Sequence, residues 1–296
     1  MYRKIMSFLE AWKDSEHRKP LILQGARQVG KTYSILEFGR TCYENVVYFN
    51  FETNPKLNET FEENISPDYL IPILSHIAGQ TIVKEKTLIV FDEVQLCERA
   101  LTSLKYFCED APDYHIIVAG SLLGVAVNRA KFSFPVGKVD MKTLYPMDME
   151  EFMIACGESA LVEQIKKCFA EDKPLPSALH DAAMQLYRQY LIVGGMPECV
   201  MQFVETKDYI LVRHTQDTIL ASYLNDMSKY NNLNEIKKTR LAYDNITVQL
   251  SKKNTRFQYK LIKKGGRASE FENAIEWLCL SGIVSQVYKV EQVKKP

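Results

Sequence analysis

The sequence predicts an α/β fold, a parallel sheet flanked by helices, and three segments carry that prediction. The first is the octapeptide Gly25-Ala26-Arg27-Gln28-Val29-Gly30-Lys31-Thr32, set between the short apolar run Pro20-Leu21-Ile22-Leu23-Gln24 and a helical pattern. The second is Thr87-Leu88-Ile89-Val90-Phe91-Asp92-Glu93, apolar until its two acids. The third is Tyr114-His115-Ile116-Ile117-Val118-Ala119-Gly120-Ser121, another apolar run, ending on a small polar residue. Short, nearly continuous apolar runs suit strands buried on both faces, as in a parallel sheet.

The octapeptide fits the phosphate-binding pattern G-x-x-x-x-G-K-[ST] in its required strand–loop–helix setting. A triphosphate needs several converging N–H donors, a nearby cation and a hydroxyl for its magnesium ion. Gly25 and Gly30 permit the backbone angles that aim amides inward, and the helix N-terminus adds its dipole. The nucleotide-binding set is Gly25, Ala26, Arg27, Gln28, Val29, Gly30, Lys31, Thr32 and Tyr33. Within it Lys31 is expected on the β- and γ-phosphates and Thr32 on Mg2+. The helix after the loop shows Ile35, Leu36 and Phe38, with Gly39 expected to close it.

Asp92 ends an apolar strand sixty-one residues beyond Lys31, the setting of a Walker B carboxylate near the metal. Glu93, next to it, is placed to polarise a water for in-line attack on a γ-phosphate. That pair points to ATP hydrolases of the additional-strand P-loop type. A nucleotide kinase fits less well, because Glu93 serves water better than an acceptor hydroxyl and no Arg-rich lid is visible. A GTPase lacks its N-K-x-D base-reading motif here. Ser121 ends the strand expected between the P-loop and Walker B strands, where a polar sensor of the γ-phosphate belongs. Residues 45–50 read as an edge strand and residues 136–144 as a fifth. Gln95 reads either as part of this site or as a polar residue at a helix start.

Composition reads as a soluble, cytoplasmic enzyme with no membrane segment: 296 residues, 46% hydrophobic, no net charge. Glu10 interrupts any N-terminal apolar segment, which argues against a signal peptide. Seven cysteines without a C-x-x-C pair and five scattered histidines suggest reduced thiols and no metal framework. Three N-x-[ST] sequons, at Asn58, Asn64 and Asn245, are chance matches in a cytoplasmic chain.

Together, GARQVGKT, LIVFDEVQ and VAGSLL, with the PVGKV segment and Tyr145-Pro146-Met147, resemble the prokaryotic AAA-like ATPases of AAA family 14. Tyr190-Leu191-Ile192-Val193-Gly194-Gly195-Met196-Pro197-Glu198 and residues 269–290 resemble the region commonly paired with it, domain of unknown function 4143. The resemblance spans nearly the whole chain and implies an additional-strand P-loop fold followed by helices and a winged-helix-like module. Where the family tends to carry Gly-Arg, this chain has Gly137-Lys138, so an arginine role there would fall to a lysine without the planar fork. The family commonly continues into a nuclease-like part, and this sequence ends at Lys294-Lys295-Pro296, a truncated or shortened member on that reading.

The expected organisation is an ATPase domain over residues 1–155, a helical region over 156–230 with a surface linker at 171–177, and the winged-helix-like module over 231–296. In the last, Ser269-x-x-Glu272 reads as a capping box. Phe271, Ala274, Ile275, Leu278 and Cys279 form an amphipathic face, and residues 283–290 a strand after Gly282. Residues 236–267 hold ten Lys/Arg against Asp244 alone, with Tyr243, Phe257 and Tyr259 interleaved, a pattern that suits nucleic-acid backbone. The following helix is acidic instead, with Glu270, Glu272 and Glu276, which suits a protein partner better than a DNA groove. Arg99, Arg129 and Arg213 are candidates to complete the site of a neighbouring subunit in a homo-oligomer; no spacing singles one out, and Arg129, beyond the sensor strand, is preferred. Read whole, the chain is an ATPase that binds ATP and Mg2+ and couples hydrolysis to its C-terminal module. The alternative is an ATP-gated switch of slow turnover that holds a protein partner.

Overall fold

The computed structural model describes residues 1–120, 135–230, 233–252 and 256–288. Five strands form one sheet: β1 (Leu21–Gln24), β2 (Asn45–Asn50), β3 (Thr87–Asp92), β4 (His115–Gly120) and β5 (Asp140–Thr143). Their order across the sheet is β2-β3-β4-β1-β5, and every pairing is parallel. β4 therefore lies between the P-loop strand and the Asp92 strand, and β2 is an edge, as the sequence predicts. Gln24 pairs with Gly120 on one side and Thr143 on the other, so three strands end level at the mouth of the loop.

Strand alternation sorts the core into two layers. Ile22, Val47, Phe49, Ile89, Phe91, Ile116 and Val118 pack on one face. Their cover is α3 (Lys56–Glu63), α4 (Pro67–Ala78) and α5 (Glu98–Asp110). Leu21, Leu23, Leu88, Val90, Ile117 and Ala119 face α1 (Ile5–Lys13) and α2 (Lys31–Cys42) on the other. With both faces covered, the strands need apolar residues at every position, which is why they read as runs and not as alternation.

Two local expectations change around α2. Gly39 does not close the helix, which continues to Cys42. A methyl group at Gly39 would come within 2.5 Å of Val46 Cγ2, so the glycine lets α2 lie close on the sheet. Leu36 faces outward, and the buried face is Lys31, Ser34, Ile35, Phe38 and Gly39.

The chain then runs through α6 (Met149–Ala155), α7 (Ser159–Ala170), α8 (Ser177–Val193), α9 (Pro197–Thr206) and α10 (Tyr209–Tyr230). α7 and α8 are joined by residues 171–176, the segment read as a linker. Asp148 and Glu151 make a reciprocal capping box at the start of α6. The C-terminal helices are α11 (Leu233–Leu250), α12 (Tyr259–Ile262) and α13 (Ala268–Leu280). Phe271, Ala274, Ile275 and Leu278 of α13 are buried with Met227 and Ala242, the amphipathic face the sequence predicts.

The capping box expected at Ser269 is not made. The N-cap is Arg267, without a side-chain cap, so Ser269 and Glu272 both lie inside the helix, as its second and fifth residues. Residues 283–288, expected to begin a strand, pair with no other segment among the described residues, so there is no ladder to hold them as β-structure. Residues 289–290 lie outside the described residues. Among the described residues no helix is long and apolar enough to cross a membrane.

Candidate functional site

The loop between β1 and α2 is shaped by two glycines. Gly25 has φ +150°, and a methyl group there would come within 2.2 Å of the Leu144 carbonyl oxygen. That carbonyl belongs to the segment just past β5, where the Leu144 amide donates to Gln24 O at 2.8 Å. Gly30, with φ +89°, is the N-cap of α2 and turns the chain into the helix. Lys31, only 8% exposed, folds back across the loop. Its Nζ donates to the carbonyls of Gly25 and Ala26, both at 2.8 Å. Burial pulls its pKa down to about 8, against the opposing pull of Glu93 and Asp92. An anion at the loop would relieve that burial of charge.

The acids meet the loop from β3. Asp92 is 5% exposed. Its Oδ2 accepts from Thr32 Oγ1 at 2.8 Å and from the Tyr48 hydroxyl at 2.7 Å, and its Oδ1 from the Glu93 amide at 2.9 Å. Burial, reinforced by Asp92, pushes the Tyr48 phenol up to about 12. Glu93 has φ +53°, a left-handed backbone that a residue with a Cβ adopts at a cost. That turn takes its carboxylate off the strand direction, where the Gln95 side-chain amide donates to Oε2. Gln95 thus holds Glu93 and also lies in the short 3-10 turn Val94–Leu96, so both readings of it describe one position.

The oxygen donors fit Mg2+. Thr32 and Asp92 are hard ligands held 2.8 Å apart, and this ion is commonly bound by one or two carboxylates plus substrate phosphates. Among the described residues no cluster of three or more His, Cys, Asp or Glu offers a competing all-protein cage.

Other predicted positions are less central. Tyr33 points outward, 58% exposed. Ser121 and Arg129 lie outside the described residues. Arg99 Nε is held by the Phe61 carbonyl at 2.7 Å, and Arg213 pairs with Asp217 one turn along α10. Lys138 precedes β5, at the end of the sheet opposite the loop, and pairs with Glu109 at 2.8 Å. It takes no part in this chain's own site, because only the carboxyl ends of the strands face the loop.

Several supporting residues carry no motif. Arg3, buried, donates to Glu151 Oε1 at 3.1 Å, to Val29 O at 2.8 Å and to Tyr145 O at 2.7 Å. One guanidinium thereby ties the loop to the chain after β5 and to the cap of α6. The Tyr190-to-Glu198 signature has a packing role. The Tyr190 hydroxyl donates to Met147 O at 2.8 Å, and Gly195 lies so close that a methyl group would come within 2.1 Å of the same oxygen. Tyr223 of α10 donates to Arg27 O at 2.7 Å. Gly282, after α13, sits where a methyl group would lie 3.1 Å from the Ala26 amide nitrogen.

Residues 17–153 match a family model described as an AAA domain. Residues 184–295 match one described as a domain of unknown function (DUF8612), so the expected domain 4143 finds no support. The Walker-type ATPase PABY2304 of Pyrococcus abyssi superposes at TM-score 0.53 with 14% identity, over 95% of this chain and 89% of that one. This is a P-loop ATPase fold of the AAA-like type. Weaker overlaps, which carry no argument, include the Holliday-junction branch-migration motor RuvB of Thermotoga maritima and the ORC2 protein of Aeropyrum pernix. RuvB gives TM-score 0.40 at 14% identity over 96% and 88% of the two chains, and ORC2 gives 0.42 at 12% over 96% and 87%. No curated protein sequence matches significantly. Within an AAA-like fold, the β4 strand between β1 and β3 is the additional strand, and the site lies across its carboxyl end.

Proposed function

We propose that this chain is a magnesium-dependent ATPase whose nucleotide state is passed to its C-terminal helices. The observation that carries the reading is the join of Lys31, Thr32, Asp92 and Glu93 at one loop whose backbone also holds Tyr223 and Gly282. On ATP binding, Lys31 exchanges the carbonyls of Gly25 and Ala26 for phosphate oxygens. The loop amides from Gly25 to Thr32 and the start of α2 surround the β-phosphate. Thr32 and Asp92 would hold Mg2+, which when bound would neutralise phosphate charge. Glu93 takes the proton of the attacking water as its oxygen bonds to the γ-phosphorus and the bond to ADP breaks. Ser121 senses the γ-phosphate.

The coupling runs through Ala26 and Arg27. A shift of this loop moves the acceptor of the Tyr223 hydroxyl and the surface on which Gly282 rests. The C-terminal partner of this reading is nucleic-acid backbone. Lys237, Arg240, Lys252, Lys260, Lys264 and Arg267 are all exposed, though Lys263 is committed to Glu270 at 2.9 Å. A second reading, a slow ATP-gated switch holding a protein partner, is favoured by α13, whose outward face carries Glu272 and Glu276. In either case a second copy of the chain supplies the arginine that completes the site.

ATP hydrolysis by the purified protein, beside Glu93→Gln, with and without duplex and single-stranded DNA, tests both. Loss of turnover by about 100-fold in the variant with ATP affinity kept is expected, with wild-type turnover raised by DNA. Tight ATP binding with negligible turnover in every condition would replace the motor with the switch.

A further inference from the structure

The carboxylate that the Walker pattern assigns to the metal is held by one residue that no motif marks. Tyr48 lies on the edge strand β2, opposite Val90 of β3, and its side chain leans along the sheet to the carboxyl end. There its hydroxyl donates to Asp92 Oδ2 at 2.7 Å, the same oxygen that takes Thr32 Oγ1 at 2.8 Å.

The phenol's own orientation is fixed from behind. Asn50 Oδ1 accepts the amides of Glu52 at 2.8 Å and Thr53 at 3.0 Å, so the oxygen of that side-chain amide faces the turn. Its nitrogen is left to face Tyr48, donating to the phenol oxygen at 3.2 Å. With that lone pair occupied, the phenol proton is directed at Asp92. The chain of donors therefore has one sense, from the turn after β2 through Asn50 and Tyr48 to the carboxylate. Tyr48 is 40% exposed, so the hydroxyl is not explained as the satisfied polar end of a core side chain.

We propose that Tyr48 is a positioning residue for magnesium: it holds the Asp92 carboxylate in the metal-binding orientation while Thr32 is occupied with the ion. The proposal rests on the ATPase reading and deepens it. In an empty loop Thr32 and Tyr48 share the work of fixing Oδ2. When Thr32 also serves a metal, Tyr48 remains the donor that keeps the carboxylate from rotating. Partners of metal ligands commonly set affinity by ten- to a hundredfold.

The test is binding, not turnover. Affinity for a fluorescent ATP analogue is measured in EDTA and then as Mg2+ is titrated, for wild type, Tyr48→Phe and Asn50→Ala, with Mn2+ bound in the presence of nucleotide followed by electron paramagnetic resonance. Tyr48→Phe is expected to bind the analogue in EDTA within about twofold of wild type and to need about tenfold more Mg2+. Asn50→Ala, which frees the phenol without removing it, is expected to shift the same way by less, and it carries the test should Tyr48→Phe not fold. Superimposable or lowered Mg2+ requirements in the folded variants would overturn the role of Tyr48 alone. Failure of wild type to bind the analogue with or without Mg2+ would overturn the ATPase reading and this role with it.

Discussion

Single residues in this chain are held by contacts that leave little room for substitution. Gly25 combines a left-handed φ with a 2.2 Å approach to the Leu144 oxygen, so Gly25→Ala must displace the segment after β5. A loss of about 2–4 kcal/mol is expected, measured by chemical unfolding. His115 is a second such case, far from the loop. It is buried against Trp12 and Tyr43, and the Tyr43 hydroxyl lies 2.7 Å from Nδ1. Burial, with Arg18 and Lys13 nearby, lowers its pKa from 6.5 to about 4. The unfolded chain therefore takes up a proton below pH 6.5 that the folded chain refuses until about 4. Stability from this group is complete above that window and falls as pH drops through it, by about 3 kcal/mol in all. His115→Gln is expected to show a flatter decline than wild type between those limits in urea unfolding followed against pH.

Elements meet at the loop through backbone groups, which explains why so much of the support carries no motif. Arg3 joins α1, the P-loop and the start of α6 with one side chain. Arg3→Ala leaves the Glu151 carboxylate buried without its cation, and a loss of about 3 kcal/mol is expected together with weaker nucleotide binding. Arg3→Met combined with Glu151→Gln should recover part of the stability, because the uncompensated charge is gone. Thermal unfolding with and without ATP reads both effects. The strand–loop–helix element was legible in the sequence because its glycines, lysine and apolar strand all lie within one short segment. The Arg3 cluster was not, because its partners are 26, 142 and 148 residues away. The capping box at Asp148 and the unmade one at Ser269 share the same spacing of cap residue and Glu, so spacing alone does not separate them.

Across the whole molecule, two contacts join the loop to the helices that follow the sheet. Tyr223 and Gly282 come from separate elements, yet both touch consecutive loop residues, Arg27 and Ala26. Tyr223→Phe removes the hydrogen bond to Arg27 O and little packing, so folding and basal turnover should change by less than about 1 kcal/mol. What should disappear is the ATP-dependent change in amide exchange of α11 and α13, measured by hydrogen–deuterium exchange with and without nucleotide. An unchanged exchange pattern in that variant would leave the coupling to the Gly282 contact or to none.

The sequence by itself determined the layered sheet and the strand–loop–helix setting of the glycine-rich loop, because each is written in neighbouring residues with a fixed period or spacing. It also put β4 between β1 and β3, since the Asp92-Glu93 pair after an apolar strand points to the P-loop type with an additional strand there. Only the tertiary structure decided that Tyr48 reaches Asp92, that Arg3 holds Val29, and that Gly282 rests on Ala26. Those contacts join residues far apart in the chain through side-chain hydroxyls, guanidinium groups and close backbone approach, none of which leaves a period or a spacing to read.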